Sequence, residues 1–288
     1  MFLSESHIEE LIAFTEKYSG KPQPSSAMVR RFLRELISTK DLVFDLQDNH
    51  GRMALAVLLD KVINPANDSC LEILAVRSDL DASSLVFKFI EMAKNHPTMN
   101  RTGFQVGFHQ DSLISDTELS KLGLSHYYDT FEMLHSDLSS VARDDHVNIS
   151  DAVMSDQYEL YQVLCESFAQ SPDTSIPDEA TWNRNFLKSS KSHFYLFRSN
   201  NVIVGFANLV EGEDGVESEI RTLGVLSSAR GKGIGKHLLQ HSLIQSSKLG
   251  FKACRLTVAV ANEKALSMYS QAGFKVAEKF KTFRINFP

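Results

Sequence analysis

The 288-residue sequence predicts an α/β protein made of two copies of one fold. Its length suits about two domains of about 150 residues each. In the second half, strand-like segments alternate with amphipathic helices, as in sheet domains covered by helices. The two halves also align faintly: residues 72–86 match 221–235 at an offset of 149, and 121–124 match 271–274 at an offset of 150. We therefore expect domains at 1–140 and 146–288, joined by a polar segment at 134–148.

Each element of the second half is predicted from its periodicity and from the residues that end it. Helices are predicted over 152–168, 178–187, about 234–248 and 263–271. Strands rich in aromatic and β-branched residues are predicted over 193–198, 202–211, 216–226, 253–260 and 274–287. Ser150 or Asp151 caps the first helix, Asn200-Asn201 supplies a turn, and Gly250 and Gly273 end the last two helices. On the first helix, one apolar face collects Val153, Leu160, Tyr161, Leu164 and Phe168.

The long helix over 234–248 has two distinct faces. One half of its helical wheel holds the apolar residues Ile234, Leu238, Leu239, Leu243 and Leu249, and the other holds Lys236, His237, Gln240 and Ser247. His237 and His241 lie one turn apart and raise the question of a metal site. Because no third ligand accompanies them, we expect solvated histidines and no metal.

Composition and charge exclude several classes of protein. Hydrophobic residues make up 43% and charged residues 23% of the chain, which is an ordinary globular profile. The longest apolar run, Ala54–Leu59, is too short to cross a membrane, and the start of the chain lacks a secretion leader, so we expect a cytoplasmic protein. Residues 1–144 carry a net charge of −7 and residues 145–288 of +1. This distribution argues against nucleic acid as a partner.

Three cysteines, Cys70, Cys165 and Cys254, are odd in number and far apart. Their spacing matches neither a zinc site nor a redox dithiol. We expect them to be free, buried thiols.

The most informative segment is the glycine-rich loop between the third strand and the long helix, Arg230-Gly231-Lys232-Gly233-Ile234-Gly235-Lys236. A helix N-terminus presents unpaired N–H groups and a positive dipole, which together bind phosphate. Glycines let the backbone approach an anion closely, and Arg230, Lys232 and Lys236 add positive charge. A tight turn without a ligand is the alternative interpretation of the loop alone.

Two familiar phosphate loops do not fit this segment. A P-loop would need glycine at position 230 and a hydroxyl residue at 237, where the sequence has Arg230 and His237. A dinucleotide fingerprint needs Gly-x-Gly-x-x-Gly, whereas the glycines here alternate at Gly231, Gly233 and Gly235.

The signature that does fit is Gln/Arg-x-x-Gly-x-Gly/Ala, and with it the second half resembles the GNAT superfamily of acetyl-CoA-dependent N-acetyltransferases. A second GNAT-like signature, Asn-x-x-Ala-x-x-x-Tyr-x-x-x-Gly-Phe, matches Asn262, Ala265, Tyr269, Gly273 and Phe274. The resemblance is clear over 146–288 and faint over the first half. It implies two tandem GNAT-like domains, each a mixed and mostly antiparallel sheet flanked by helices, similar in architecture to mycothiol synthase.

The resemblance also implies roles in binding acetyl-CoA. The backbone of Leu223, Gly224 and Val225 would hydrogen-bond the pantetheine arm like an added strand. The N–H groups of 230–236 would hold the pyrophosphate, and Asn262 would bind nearer the reactive end. Transfer in similar enzymes is direct, without an acyl-enzyme, and none of the three cysteines takes a nucleophile position.

Direct transfer to a protonated amine needs a base, and release of a thiolate is helped by an acid. Glu219, four residues before Leu223, stands where many similar enzymes carry their base, and Glu217 shares its strand face as the reserve candidate. Tyr269 stands at the general-acid position, since a tyrosine with a pKa of about 10 is protonated at neutral pH. A surface carboxylate and a packed helix tyrosine are the respective alternatives. Trp182 lies in a region that lines acceptor pockets in similar enzymes, or else it packs in the core.

The first copy lacks this chemistry. In the alignment, Arg230, Gly233 and Gly235 meet Asp81, Ser84 and Val86, and Tyr269 meets Leu119. We therefore expect the first copy to keep the fold without binding the cofactor.

The sequence thus predicts an N-acetyltransferase acting on a small-molecule amine, as a monomer or homodimer. A CoA-binding sensor or scaffold without turnover, and an acetyltransferase acting on a protein lysine or N-terminus, stay open as alternatives.

Overall fold

A computed structural model describes residues 5–18, 42–59, 62–63, 68–77, 80–95, 103–109, 114–141, 148–171, 176–212 and 215–286. The chain forms two compact units. Unit 1 comprises Met1–Asp129 and Phe280–Pro288, and unit 2 comprises Thr130–Lys279. The boundary that the sequence suggested at 134–148 therefore falls inside unit 2, and the end of the chain belongs to unit 1.

Unit 1 contains a sheet in the order β1-β2-β4-β5-β13. Its strands pair antiparallel except β4 and β5, which are parallel. The bounds are α1 Glu5–Tyr18, β1 Leu42–Asp48, β2 Gly51–Leu59, β3 Val62–Ile63, β4 Ser69–Val76, α2 Ala82–Lys94, β5 Gly103–His109 and α3 Asp116–Lys121. The strand β6 (Ser125–His135) begins in this unit, and β13 (Lys275–Asn286) ends in it.

Unit 2 contains a sheet in the order β7-β9-β10-β11-β12-β6. Only β11 and β12 pair in parallel, so both units have the mixed and mostly antiparallel sheet that the sequence predicts. The bounds are β7 Ile149–Asp151, α4 Gln157–Phe168, β8 Ile176–Pro177, α5 Glu179–Asn185, β9 Ser192–Ser199, β10 Val202–Glu211, β11 Glu217–Val225, α6 Ile234–Lys248, β12 Ala253–Ala259 and α7 Glu263–Gln271.

The two units share some local geometry, while the tandem repeat itself stays a prediction. A bulge in the β2–β4 pair leaves Leu74 unpaired, and a bulge in the β10–β11 pair leaves Arg221 unpaired, two residues before Leu223, which the alignment pairs with Leu74. After α3 and α7, the chain turns through Gly123 and Gly273, both at positive φ. The following N–H groups, of Leu124 and Phe274, donate back to the carbonyls of Leu119 and Tyr269. This shared turn supports the equivalence of Leu119 and Tyr269. Ser78, which the alignment pairs with Ser227, lies outside the described residues.

Apolar side chains pack on both faces of the unit 2 sheet. One core lies under α6 and α7 and includes Ile220, Leu238, Leu243 and Tyr269. The other lies under α4 and α5. Trp182 is at its centre, 7% exposed, with its indole N–H donated to the carbonyl of Gln157. Of the two roles considered for Trp182, the structure supports packing in the core.

Several sequence predictions are corrected near helix ends. The helix expected from residue 152 begins at Gln157, because 154–156 form a 3-10 turn closed by the Asp156 carboxylate, which accepts from the N–H of Val153. Ser150 and Asp151 lie on β7, a strand that the sequence analysis missed, so neither caps α4. Val153 is 56% exposed and leaves the predicted apolar face. Leu249 is also exposed, since it stands at the C-cap of α6.

The cysteines fit the expectation only in part. Cys254 is fully buried, and burial raises the pKa of its thiol to about 12. Cys165 is a free cysteine but only partly buried. The side chain of Cys70 lies outside the described residues. Among the residues that the structure describes, no helix is both long and apolar enough to span a membrane.

Candidate active site

The strands β11 and β12 pair over only three positions, from Glu217 opposite Ala253 to Glu219 opposite Arg255. Beyond this point β11 runs on to Val225, still paired with β10 on its other side. β12 runs on to Ala259, paired with β6 on its far side. Each strand is therefore held from outside while the edges that face each other separate. The unpaired backbone edge of β11 beyond Glu219 can hydrogen-bond an extended ligand.

The bulge at Arg221 decides which side chains face this gap. Before it, Ser218 and Ile220 are buried on the α6 side, while Glu217 and Glu219 lie on the opposite face. After it, Leu223 and Val225 are the residues that pack on the α6 side. A two-residue period without the bulge would have moved Leu223 and Val225 to the other face.

Glu217 belongs to an ion-pair cluster that joins three strands. The guanidinium of Arg255 on β12 contacts the carboxylates of Glu217 on β11, with an Nε–Oε2 distance of 2.8 Å, and of Glu132 on β6, at 2.7 Å. Burial raises the pKa of Glu132, and the charge of Arg255 opposes that rise. Because Arg255 holds it, Glu217 is less suited to accept a proton from a substrate than the sequence analysis assumed.

Glu219 lies where the paired part of β11 and β12 ends. Its side chain is 32% exposed, and Oε2 is 3.6 Å from the Arg221 guanidinium. This partly exposed carboxylate at the mouth of the gap is accessible to a ligand there.

The glycine-rich loop connects β11 to α6 through a 3-10 turn at Ser227–Ala229. Gly231 and Gly233 have φ angles of 79° and 78°, in the left-handed region that favours glycine. Gly233 is the N-cap of α6 and supplies no side-chain cap. The N–H groups of the first turn, from Ile234 to Lys236, have no partner within the helix. With the exposed Lys232 and Lys236 beside them, they form a site that can hold an anion.

Arg230 has a different role from the one expected of its charge. Its Nε donates to the carbonyl of Val225 and its Nη2 to the carbonyl of Ser167, both at 3.0 Å. The guanidinium thus fixes the loop to the end of β11 and to the C-terminal turn of α4. The side chain of Arg230 thus binds the protein's own backbone, and its part in holding an anion stays a prediction.

Two further glycines differ in how tightly they pack. A Cβ at Gly224 would lie 2.7 Å from the ring of Phe206 and 3.0 Å from that of Phe168. A Cβ at Gly235 would find only ordinary contacts, the nearest at 3.5 Å from Met268. The neighbouring side chains therefore leave no room for a Cβ at 224, whereas alanine fits at 235.

The second signature forms the start and body of α7. Asn262 is the N-cap, and its Oδ1 accepts from the N–H of Ala265 at 3.2 Å. The resemblance assigns Asn262 to cofactor binding. Its side-chain oxygen is already hydrogen-bonded to the first turn of α7. Tyr269 is 7% exposed and packs against Phe274, with ring centroids 6.0 Å apart.

His237 and His241 are not simply solvated. The ring of His237 stacks on Phe197, with centroids 6.3 Å apart, and that of His241 meets the edge of Tyr195 at 4.8 Å. Both partners lie on β9, so the two histidines pack α6 against the sheet. Among the described residues no group of three or more potential ligands is placed to hold a metal ion.

Comparison with known proteins supports the motif assignment. Residues 157–274 match the Acetyltransferase (GNAT) family. The chain is 41% identical over 76 residues to a mycothiol acetyltransferase of Propionibacterium freudenreichii subsp. shermanii, which is 26% of this chain and 24% of that protein. It is 31% identical over 110 residues to the N-alpha-acetyltransferase RimI of Mycobacterium tuberculosis, covering 37% of this chain and 67% of that protein.

The matched segments span only about a quarter to a third of the mycothiol acetyltransferases. A solved GCN5-related N-acetyltransferase from Sphaerobacter thermophilus is similar over 97% of this chain and 91% of its own, with a TM-score of 0.70. The sequence identity is 17%, so this similarity is evidence about the fold alone.

Proposed function

Because this chain belongs to the GNAT acetyltransferase family, we propose that unit 2 transfers an acetyl group from acetyl-CoA directly to a primary amine. The chain is an acyltransferase by its family. The observation that supports the finer assignment is the juxtaposition, along one strand, of an unpaired β11 edge and a helix N-terminus capped only by Gly233.

The described residues suit acetyl-CoA in shape and charge. The first-turn N–H groups of α6, with Lys232 and Lys236, would hold the pyrophosphate. The backbone of Leu223–Val225 would pair with the amide-bearing pantetheine arm as an added strand would. Bound there, acetyl-CoA supplies the acetyl thioester. Open space around the Cα of Gly231 leaves room for the phosphates.

Glu219 is the proposed base. An alkyl ammonium must lose a proton before its nitrogen can attack, and a carboxylate takes it directly or through one water. Arg255 already holds Glu217, which leaves Glu219 as the better placed of the two strand carboxylates.

Tyr269 is the proposed acid, which donates its hydroxyl proton to the sulfur as the thiolate leaves. Its burial and its packing on Phe274 hold the ring in one orientation. Because none of these steps needs a covalent acyl-enzyme, the buried, protonated Cys254 has no part in them.

We propose that the acceptor is a positively charged molecule that contains a primary amine. Glu132, Glu217 and Glu219 outnumber Arg255 and Arg221 on the sheet face at the gap. Two relatives are named mycothiol acetyltransferase and N-alpha-acetyltransferase RimI, so both small amines and peptides with a free α-amino group belong in a substrate panel.

A thiol-release assay with acetyl-CoA and that panel tests the proposal. We expect turnover with at least one amine, and Glu219→Gln should lower kcat most at low pH, where the substrate amine is most fully protonated. Glu217→Gln is the matched control on the same strand face and should leave the shape of the pH profile unchanged. Tight acetyl-CoA binding without turnover on any amine would instead favour a sensor or scaffold.

A further inference from the structure

Unit 2 has a cavity on the α6 side of its sheet, with a volume of about 300 Å³. It lies between the β7 and β9 strands and the C-terminal half of α6. The residues that matter for its chemistry are Asp151, His193, Tyr195, His241 and Gln245. Its volume is at the lower end of the range for small-molecule sites.

Tyr195 is the central polar group of this cavity. The residue is 4% exposed, and among the described residues its hydroxyl makes no hydrogen bond. The hydroxyl oxygen is nevertheless not one of the buried, unpartnered atoms among the described residues, so it faces the open space of the cavity, where a ligand can hydrogen-bond it. Burial, followed by the charges of Asp151 and Glu211, raises the pKa of Tyr195, so the hydroxyl stays protonated.

The charge of the cavity is negative. Asp151 borders it with an exposed carboxylate, and Nε2 of the lining residue His193 lies 2.7 Å from the carboxylate of Glu211. Among the described residues, no lysine or arginine lines the cavity. The walls are ring systems: His193 stacks on Tyr195 with centroids 6.5 Å apart, and His241 meets the edge of the same tyrosine.

We infer that this cavity binds a small organic cation, such as an alkylammonium with a short apolar body. Asp151 pairs with the ammonium, the Tyr195 hydroxyl accepts one of its hydrogens, and the aromatic rings cover the carbon chain. The carboxylate of Asp151 disfavours anions in the cavity.

The site is separate from the proposed acetyl-transfer site. His241 lies eight residues along α6 from Gly233, about 12 Å at the helical rise. Glu219 lies on the opposite face of the sheet from the α6 side. Binding here therefore does not depend on acetyl-CoA or on turnover.

Calorimetry on the full chain without acetyl-CoA tests the inference with phenethylammonium as the probe. We expect saturable binding of one cation per chain, about tenfold weaker binding of neutral 2-phenylethanol, and none of 3-phenylpropionate. Asp151→Asn should weaken the cation about fivefold or more. Glu166→Gln, the same charge change on an exposed position of α4, is the matched control and should change nothing.

Three results would overturn the inference: equal affinity for the alcohol, unchanged binding in Asp151→Asn, or loss of binding in Glu219→Gln. The last would place the cation in the acetyl-transfer site. Persistence of cation binding in Gly233→Asp would support a separate site even if the proposed enzyme activity fails its own test.

Discussion

In both units a loop joins a strand to a helix, but the residue that precedes the helix differs. In unit 1, Asp81 precedes α2, and its carboxylate accepts from the N–H of Ser84 at 3.3 Å and from the Ser84 hydroxyl. In unit 2, Gly233 precedes α6 and offers no side chain. The first helix carries its own anion at its N-terminus, and the second leaves that place open.

This difference is what we would expect if unit 1 keeps its helix without binding an anion at the helix N-terminus. A carboxylate at the N-cap satisfies the same N–H groups that would bind a phosphate, and it repels the phosphate as well. It also refines the sequence alignment. An offset of 149 pairs Asp81 with Arg230. When the first residues of α2 and α6 are aligned instead, Asp81 pairs with Gly233, because the loop before the helix is three residues longer in unit 2.

The largest expected effect comes from giving unit 2 the cap of unit 1. Gly233→Asp should weaken acetyl-CoA binding more than about 100-fold, since the carboxylate occupies the N–H groups and repels the pyrophosphate. The left-handed φ costs about 1–2 kcal/mol of folding free energy, which a new cap offsets by about 1 kcal/mol. Calorimetric titration measures the affinity. Gly215→Asp, at a φ of 68° with open space around it, controls for backbone strain and should bind normally.

The next effect concerns Gly224, where the first copy has Ala75 in the alignment. Gly224→Ala should destabilise unit 2 by about 1–3 kcal/mol, because the added Cβ overlaps the rings of Phe206 and Phe168. Chemical denaturation measures the change. Gly235→Ala is the matched control, and its stability should stay within about 0.5 kcal/mol of wild type. Equal costs for the two variants would contradict the packing described here.

Arg230 tests whether the loop is fixed by its own side chain. Arg230→Ala removes two charge-assisted hydrogen bonds to backbone carbonyls and should lower stability by about 1–3 kcal/mol. Acetyl-CoA affinity should fall about tenfold through loss of a preformed loop. Lys232→Ala also removes one positive charge, at an exposed position. It should reduce the affinity for acetyl-CoA without reducing the stability of the protein. If Arg230→Ala lowered affinity alone, its side chain would act on the ligand and not on the loop.

The smallest effect is expected in unit 1. Asp81→Ala removes the N-cap of α2 and should cost about 1 kcal/mol of stability, measured by denaturation. It should not create a second acetyl-CoA site, because the loop before α2 is three residues shorter than the loop before α6 and has Ser83 where unit 2 has Gly235. A second binding event in this variant would show that Asp81 alone closes the first copy.

Local signals predicted much of unit 2. The bounds of β10 and α7 agree with the sequence prediction, since turn residues and glycines mark their ends. Partners that are distant in the chain were not predictable. Arg255 holds Glu217 from 38 residues away, and Arg230 binds a carbonyl 63 residues earlier. Nor does any local pattern tell that Phe280–Pro288 joins unit 1, because a strand of the same composition suits either copy.

The number of acetyl-CoA molecules bound per chain tests the central claim most directly. Calorimetric titration of the wild-type chain should give one site, and Gly233→Asp should remove it while Asp81→Ala leaves it. Two sites in the wild-type chain, or a site that survives Gly233→Asp, would contradict the assignment of cofactor binding to the open N-terminus of α6.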